Sequence, residues 1–321
     1  MTNFEPSYIK TFNKGLLKEK IKESLDIMNS CTLCPRKCKV DRLAGETGIC
    51  KTGKKAWVSS YNPHFGEEAP LVGREGSGTI FFTHCNLMCI FCQNYEISHE
   101  GVGEEVSHEH LAKMMLVLQD LGCHNINFVT PSHVVPQILM ALESAVKDGL
   151  NIPLIYNTGG YDRVETLKIL DGVVDIYMPD FKFRNSEIAE ATCKAGDYPD
   201  VARKAVAEMH RQVGDLITDE DGIARRGLLI SHLVLPDGLA GTREIMRFIV
   251  REISPDTYVN IMPQYRPCGG VNETSEVLKD SEVFKALSRY PSKTEFETAL
   301  QEAAEEGITR FDRHRRVFMI C

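Results

Sequence analysis

The chain has 321 residues, 43% of them hydrophobic and 26% charged, with a formal net charge of −8. That is enough apolar material for one large domain with an appendage, while the negative balance argues against general affinity for nucleic acid or anionic membrane. No apolar run approaches the ~18–20 residues of a spanning helix, and the opening MTNFEPSYIKTFNKGLLKEK holds no apolar signal core, so a cytoplasmic protein is expected. Eleven cysteines in such a chain read as metal or redox ligands rather than disulfides.

In chain order, an amphipathic, Lys-rich stretch over Asn13–Met28 predicts a helix. Cys31, Cys34, Cys38 and Cys50 follow in the pattern C-x-x-C-x-x-x-C-(eleven)-C, inside a segment (31–75) with little hydrophobic periodicity. Four thiols in a core-poor segment predict a closed structural metal site, and spacing does not choose between zinc and an auxiliary iron–sulfur cluster. Residues 1–75 are thus read as an N-terminal helix and four-Cys metal-binding head, and 76–321 as a second unit. After Gly78, short apolar runs at 79–84, 126–130, 153–157, 174–179, 228–235 and 258–262 alternate with helical patterns at 107–121, 134–149, 161–170, 185–193, 200–213 and 240–252. Strands alternating with helices imply a parallel sheet with right-handed crossovers, either doubly wound or a barrel short of eight strands. From 275 onward the pattern predicts helices and an Arg-rich tail.

The stretch THCNLMCIFCQNY (83–95) places Cys85, Cys89 and Cys92 in one loop directly after the first of these strands, where α/β active sites gather. Three thiolates can hold three irons of a 4Fe–4S cube and leave the fourth iron open to a ligand, as catalytic zinc sites leave an open position. Zinc with a remote fourth ligand is the plainer alternative. Cys123, Cys193, Cys268 and Cys321 have no local partner and read as isolated thiols; Cys268, after QYRP, is the one to test for chemistry.

CNLMCIFC resembles the signature of the radical S-adenosylmethionine superfamily. The segments HFGEEAPLVGREGSGTIFFTHCNLMCIFCQNYEIS, NINFVTPSHV, YNTGGYD, MPDFKF, HLVLP and MPQYRP are similar, in order, to its predicted pyruvate formate-lyase activating enzyme-like branch. The resemblance implies an incomplete (β/α)6, TIM-like barrel. It also implies a 4Fe–4S cluster on Cys85, Cys89 and Cys92, with S-adenosylmethionine on the open iron. Reduced flavodoxin or ferredoxin would be the electron donor and a glycyl-radical enzyme a protein substrate; modification of another protein, peptide or small molecule is the alternative, and a non-catalytic zinc scaffold a third reading.

Several residues become candidate cofactor contacts, each beside a plainer reading. Met178, Asp180 and Lys182 are two apart and share a side of their strand; Asp180 and Lys182 either contact the cofactor or form an internal salt bridge. In the activating enzymes the Asp helps to hold a monovalent cation, but Asn157 stands where they have a second Asp. Thr158 adjoins it. Gly159 and Gly160 allow close backbone approach or merely turn the chain. The family's Gly-Gly-Glu is missing at the second strand's end, where Thr130, Ser132 and His133 stand; Thr130 and Ser132 either bond the cofactor or, for Ser132, cap the next helix. His232 shares a face with Ile230 and Val234 and is either near the cofactor or a core histidine. Gln93 and Asn94 bond the cofactor or cap the loop. Asn260, Met262 and Gln264 form a candidate substrate-side wall.

Overall fold

The computed structural model describes residues 4–273 and 281–312; Cys321 and most of the Arg-rich tail lie outside them. Two helices open the chain, α1 (Ser7–Asn13) and α2 (Leu16–Met28), where one was expected over Asn13–Met28. The break falls at Gly15, whose φ of 76° is a left-handed conformation that a Cβ disfavours.

β1 (Ala56–His64) and α3 (Ala69–Val72) lie in the stretch assigned to the head. Yet β1 pairs antiparallel along β2 (Ser77–Phe82), and β3 (Glu104–Val106) pairs on its far side. The expected boundary at 75/76 therefore cuts between two hydrogen-bonded strands. β1 buries Ala56 and Val58 and covers a sheet edge that would otherwise offer unpaired backbone groups.

The remaining elements alternate. After α4 (His108–Asp120) come β4 (Ile126–Val129), α5 (Val135–Lys147), β5 (Leu154–Thr158), α6 (Val164–Ile169) and β6 (Ile176–Pro179). Then follow α7 (Ser186–Cys193), α8 (Tyr198–Val213), β7 (Ile217–Thr218), β8 (Ala224–Leu233), α9 (Thr242–Phe248), β9 (Tyr258–Met262) and β10 (Arg310–Phe311). The sheet runs β10-β9-β8-β6-β5-β4-β2-β1-β3, with β7 hanging on β8. β2, β4, β5, β6, β8 and β9, the strands expected from the apolar runs, pair parallel. The fold is mixed α/β with a mostly parallel, open sheet. Local caps mark the helix starts: Ser107 accepts from the His110 amide, and Asn185 from the amides of Glu187 and Ile188.

The sheet is curled. Glu67 faces Asn127 on β4, while its neighbour Glu68 accepts hydrogen bonds from Ser231 on β8 (2.7 Å) and Asn260 on β9 (2.9 Å). In a flat sheet β4 and β9 would stand about 19 Å apart, four strand spacings, beyond the reach of two adjacent side chains. The curl leaves a concave lumen, floored by the apolar cluster Leu71, Ile155, Ile176, Met178, Leu216, Ala224 and Leu229. The larger core lies on the convex side against the helices, where Ile126, Phe128, Tyr156, Tyr177, Leu228 and Ile230 point.

Candidate active site

Parallel strands deliver their carboxyl ends to one rim, and the three-cysteine loop leaves β2 at that rim. His84 (φ 70°) and Met88 (φ 58°) turn the chain tightly around it. The Leu87 amide donates to Cys85 Sγ at 3.3 Å, the Cys92 amide donates to the Cys89 carbonyl, and Ser98 lies beside Cys92. Burial pushes the Cys85 thiol up to about 12. Cys89 is raised as well, by its bond to Cys193 and by burial, while the nearby Lys182 ammonium opposes the rise. Thiols this dry ionise when a cation replaces the lost solvation, which is what a metal does.

Asp180 and Lys182 stand beside the loop and form the ion pair weighed in the sequence, at 2.5 Å. Burial works to lower Lys182, but Asp180 and Cys89 hold it well above its usual value. Asn157 shares a lumen row with Met178 and Val129. Gly159 lies against Leu87 of the cysteine loop and near the Lys182 stem; a Cβ there would stand 3.2 Å and 3.7 Å from them. Thr130 closes β4 with φ 62°, a strained conformation for a β-branched residue, and its amide donates to the Asn157 carbonyl. Gln93 bonds across to the Gln264 carbonyl at 2.9 Å, while Asn94 is exposed.

Other expected contacts face elsewhere. His232 is fully buried on the convex side, with Nδ1 at 2.7 Å from the Phe181 carbonyl and Nε2 at 2.9 Å from Thr242 Oγ1. Both ring nitrogens are engaged, and burial depresses its pKa to about 4, so it is the neutral core histidine of the plainer reading. Ser132 caps nothing: α5 begins at Val135, and its N-cap position is Val134, with no side-chain cap. Ser132 instead meets Thr158, which donates to Asp162, and Asp162 also accepts from Tyr156. This buried knot faces the helices, removing Ser132 and Thr158 from the lumen. Gly160 (φ 76°) leaves room for its own protein, since a Cβ would sit 2.2 Å from the Asp180 carbonyl.

Two cysteines read as isolated are not. Cys193, at the end of α7, places its Sγ 3.3 Å from Cys89 Sγ, and Cys268 Sγ lies 3.3 Å from the Phe91 carbonyl. Cys193 is 104 residues from its partner, and no sequence signal marks the contact.

The head docks onto this loop. Arg36, between Cys34 and Cys38, donates to the carbonyls of Asn86 (3.0 Å), Leu87 (3.1 Å), Cys193 (2.7 Å) and Lys194, and its guanidinium lies over the Tyr161 ring. It ties the cysteine loop to α7. Replacing Arg36 with alanine is expected to weaken metal binding or turnover at the loop by the ~10–100-fold typical of groups that orient metal ligands. Lysine is not expected to rescue it, because one ammonium cannot span these acceptors. Unchanged turnover and an unchanged visible spectrum in the alanine variant would contradict the clamp.

Arg42 carries the second tie. It is 1% exposed, donates to the carbonyls of Gly53 and His133, lies 3.9 Å from Cys31 Sγ and acts on Cys50. His133 in turn bonds the Thr83 carbonyl, two residues before Cys85. No carboxylate pairs with Arg42 among the described residues, and a buried cation needs negative charge nearby. The head's four cysteines stand nearest to it, burial raises the Cys34 and Cys50 thiols, and Cys34 feels the other three. Among the described residues no three His, Cys, Asp or Glu side chains stand close enough to hold an ion as placed, so the fit of both cysteine sets rests on loop, burial and charge. A surface groove of about 700 Å³ opens beside α6 and α8; its Arg163 and Arg211 are already paired with Glu165, Asp171 and Glu208.

Among the described residues no helix is long and apolar enough to cross a membrane. The family model of the Radical SAM superfamily matches residues 79–219, spanning β2 through β7. The uncharacterized protein MJ0674 of Methanocaldococcus jannaschii is 32% identical over 296 residues, covering 89% of this chain and 81% of that protein. Two solved structures are similar at 15% identity. One is a radical SAM methyltransferase from Sphaerobacter thermophilus (TM-score 0.46, 75% of this chain and 68% of that one). The other is the cobalamin-dependent S-adenosylmethionine radical enzyme OxsB (TM-score 0.40, 74% and 32%). With the three cysteines on the loop after its first parallel strand, a matching family model and a relative matched along most of its length, this chain belongs to the radical SAM superfamily.

Proposed function

We propose that this radical SAM enzyme abstracts hydrogen from a substrate admitted to the lumen, and that its finer task is to activate a glycyl-radical enzyme. Modification of another protein, peptide or small molecule is the alternative. The observation that carries the reading is the buried three-thiol loop with the Asp180–Lys182 pair against it at the strand ends. Cys85, Cys89 and Cys92 would hold a 4Fe–4S cluster, which would supply the electron for reductive cleavage of S-adenosylmethionine, with reduced flavodoxin or ferredoxin as the donor. The chain's own part is positional. Cys193 bonds Cys89, Lys182 places a positive charge beside Cys89, and Asp180 holds Lys182. Thr130, Asn157 and Gly159 border the space left for the cofactor, and burial keeps water from the reacting atoms. Cys31, Cys34, Cys38 and Cys50 hold the head's own metal, zinc or an auxiliary cluster, in a cytoplasmic protein.

Anaerobic purification tests the reading. A brown protein containing iron and sulfide, forming 5′-deoxyadenosine when reduced with S-adenosylmethionine, is expected. A colourless protein holding only zinc would overturn it in favour of a scaffold. A glycyl-radical doublet in the electron paramagnetic resonance spectrum of a glycyl-radical enzyme from the same genome would support the activase task, and its absence the alternative.

A further inference from the structure

The lumen contains polar groups that the cysteine loop does not use. Glu68, fully buried, receives Ser231 and Asn260 on the same oxygen, Oε1. Glu67 points beside it toward Asn127, with Asp180 near enough to act on it. Asn127 is 0% exposed, and beside its loose contact with Glu67 neither atom of its carboxamide makes a well-aligned hydrogen bond among the described residues. Such an orphan is costly in a folded interior and marks a place built for something else. Its row confirms its direction: Asn127 is in register with Thr79 and Ile155, and Ile155 with Ile176 of the lumen floor.

Charge decides what that something is. Among the described residues the lumen holds the carboxyls of Glu67, Glu68 and Asp180, with Asp312 also acting on Glu68, against the ammonium of Lys182, which Asp180 already engages. His64 Nδ1 lies 3.5 Å from Glu67, but that nitrogen accepts the Gly66 amide, so it carries no proton to give. Burial and the neighbouring Glu68 push Glu67 up to about 8. It is a carboxyl lacking a counter-charge. The Glu67 carboxyl, the Glu68 carboxyl and Asn127 Oδ1 are three acceptors set close together, and a primary ammonium has three donors to offer them.

We propose that Glu67, Glu68 and Asn127 form a substrate subsite that takes a protonated primary amine. This rests on the radical SAM reading, since it names what occupies the lumen beneath the cofactor. The anchored Glu68 orients the amine, while Glu67 gains in it a positive charge and Asn127 a well-aligned partner. The adjoining apolar floor of Leu71, Ile155 and Ile176 suits the aliphatic stem that carries such a group.

The test is calorimetric titration of the cluster-loaded full chain, with S-adenosylmethionine present, using n-butylammonium, n-butanol and potassium ions as probes. Wild type is expected to bind n-butylammonium and not n-butanol, with binding weakened about 10-fold or more in both Glu67→Gln and Asn127→Ala, ~1.4 kcal/mol each. The Gln replacement is isosteric, and the Ala replacement removes the orphan outright, so the two fail for different reasons if folding suffers. Absence of butylammonium binding to wild type, wild-type affinity in both variants, or binding of potassium in its place would overturn the proposal. Wild-type iron content and 5′-deoxyadenosine formation are measured on the same preparation. If these persist while amine binding fails, only the subsite falls; if they fail, the radical reading falls with it.

Discussion

Cys89→Ala is expected to abolish 5′-deoxyadenosine formation under reducing, anaerobic conditions, while the metal of the head stays in place. The loss should run well past the ~10–100-fold that changes in outer-shell partners cost, because a ligand itself is removed. Cys89 is also the most embedded of the three: its sulfur meets Cys193 and lies in the field of Lys182. Cys193 is a thiol placed to replace it. The double variant Cys89→Ala, Cys193→Ala therefore belongs beside the single one, with iron and sulfide counted in both. Cleavage persisting in the double variant would mean that the three-cysteine loop is not the site. Cleavage persisting only in the single variant would make Cys193 a substitute ligand.

The second large effect concerns Arg42. When a buried cation faces neutral groups, exchange for an apolar residue of similar length is commonly neutral or stabilising; when it faces buried anions, removing it costs about 3–5 kcal/mol. Arg42→Met is expected to fall in the second class if the head is metallated as proposed, since its thiolates would then be the negative groups beside Arg42. Denaturant unfolding of wild type, Arg42→Met, Cys34→Ala and the double variant gives the coupling directly. Most of the Arg42 penalty should vanish in the Cys34→Ala background, where the metal is lost. A neutral Arg42→Met, or full additivity of the two changes, would remove the charge argument for a metallated head. The outcome also reports on the active loop, because Arg42 reaches it through His133 and Thr83, and Arg36 reaches it directly.

How much the sequence disclosed depends on the range of the interaction. The six parallel strands were legible because each is a short apolar run set off by helix-length patterns, and the loop of Cys85, Cys89 and Cys92 because its ligands fall within eight residues of one another. Asp180 and Lys182 were legible as a pair, since alternation in a strand puts residues two apart on one side. The same alternation correctly grouped His232 with Ile230 and Val234. It did not say which side was the lumen, because a parallel strand is buried on both faces and reads apolar on each. Only the curl of the sheet assigns that group to the helices and Ser231 to the interior. Likewise Ser132 and Thr158 carried hydroxyls suited to a cofactor, but their partners were each other and Asp162.

Thiol spacing and the alternation of strands with helices are local, so the three-cysteine loop and its place after the first parallel strand can be read from the chain alone. The tertiary structure alone decided which side chains that chemistry meets: Cys193 against Cys89, Arg36 across the loop, and Glu67 and Glu68 opposite Asn127, Ser231 and Asn260. These pairs are set by the curl and packing of the chain, which no short window of residues encodes.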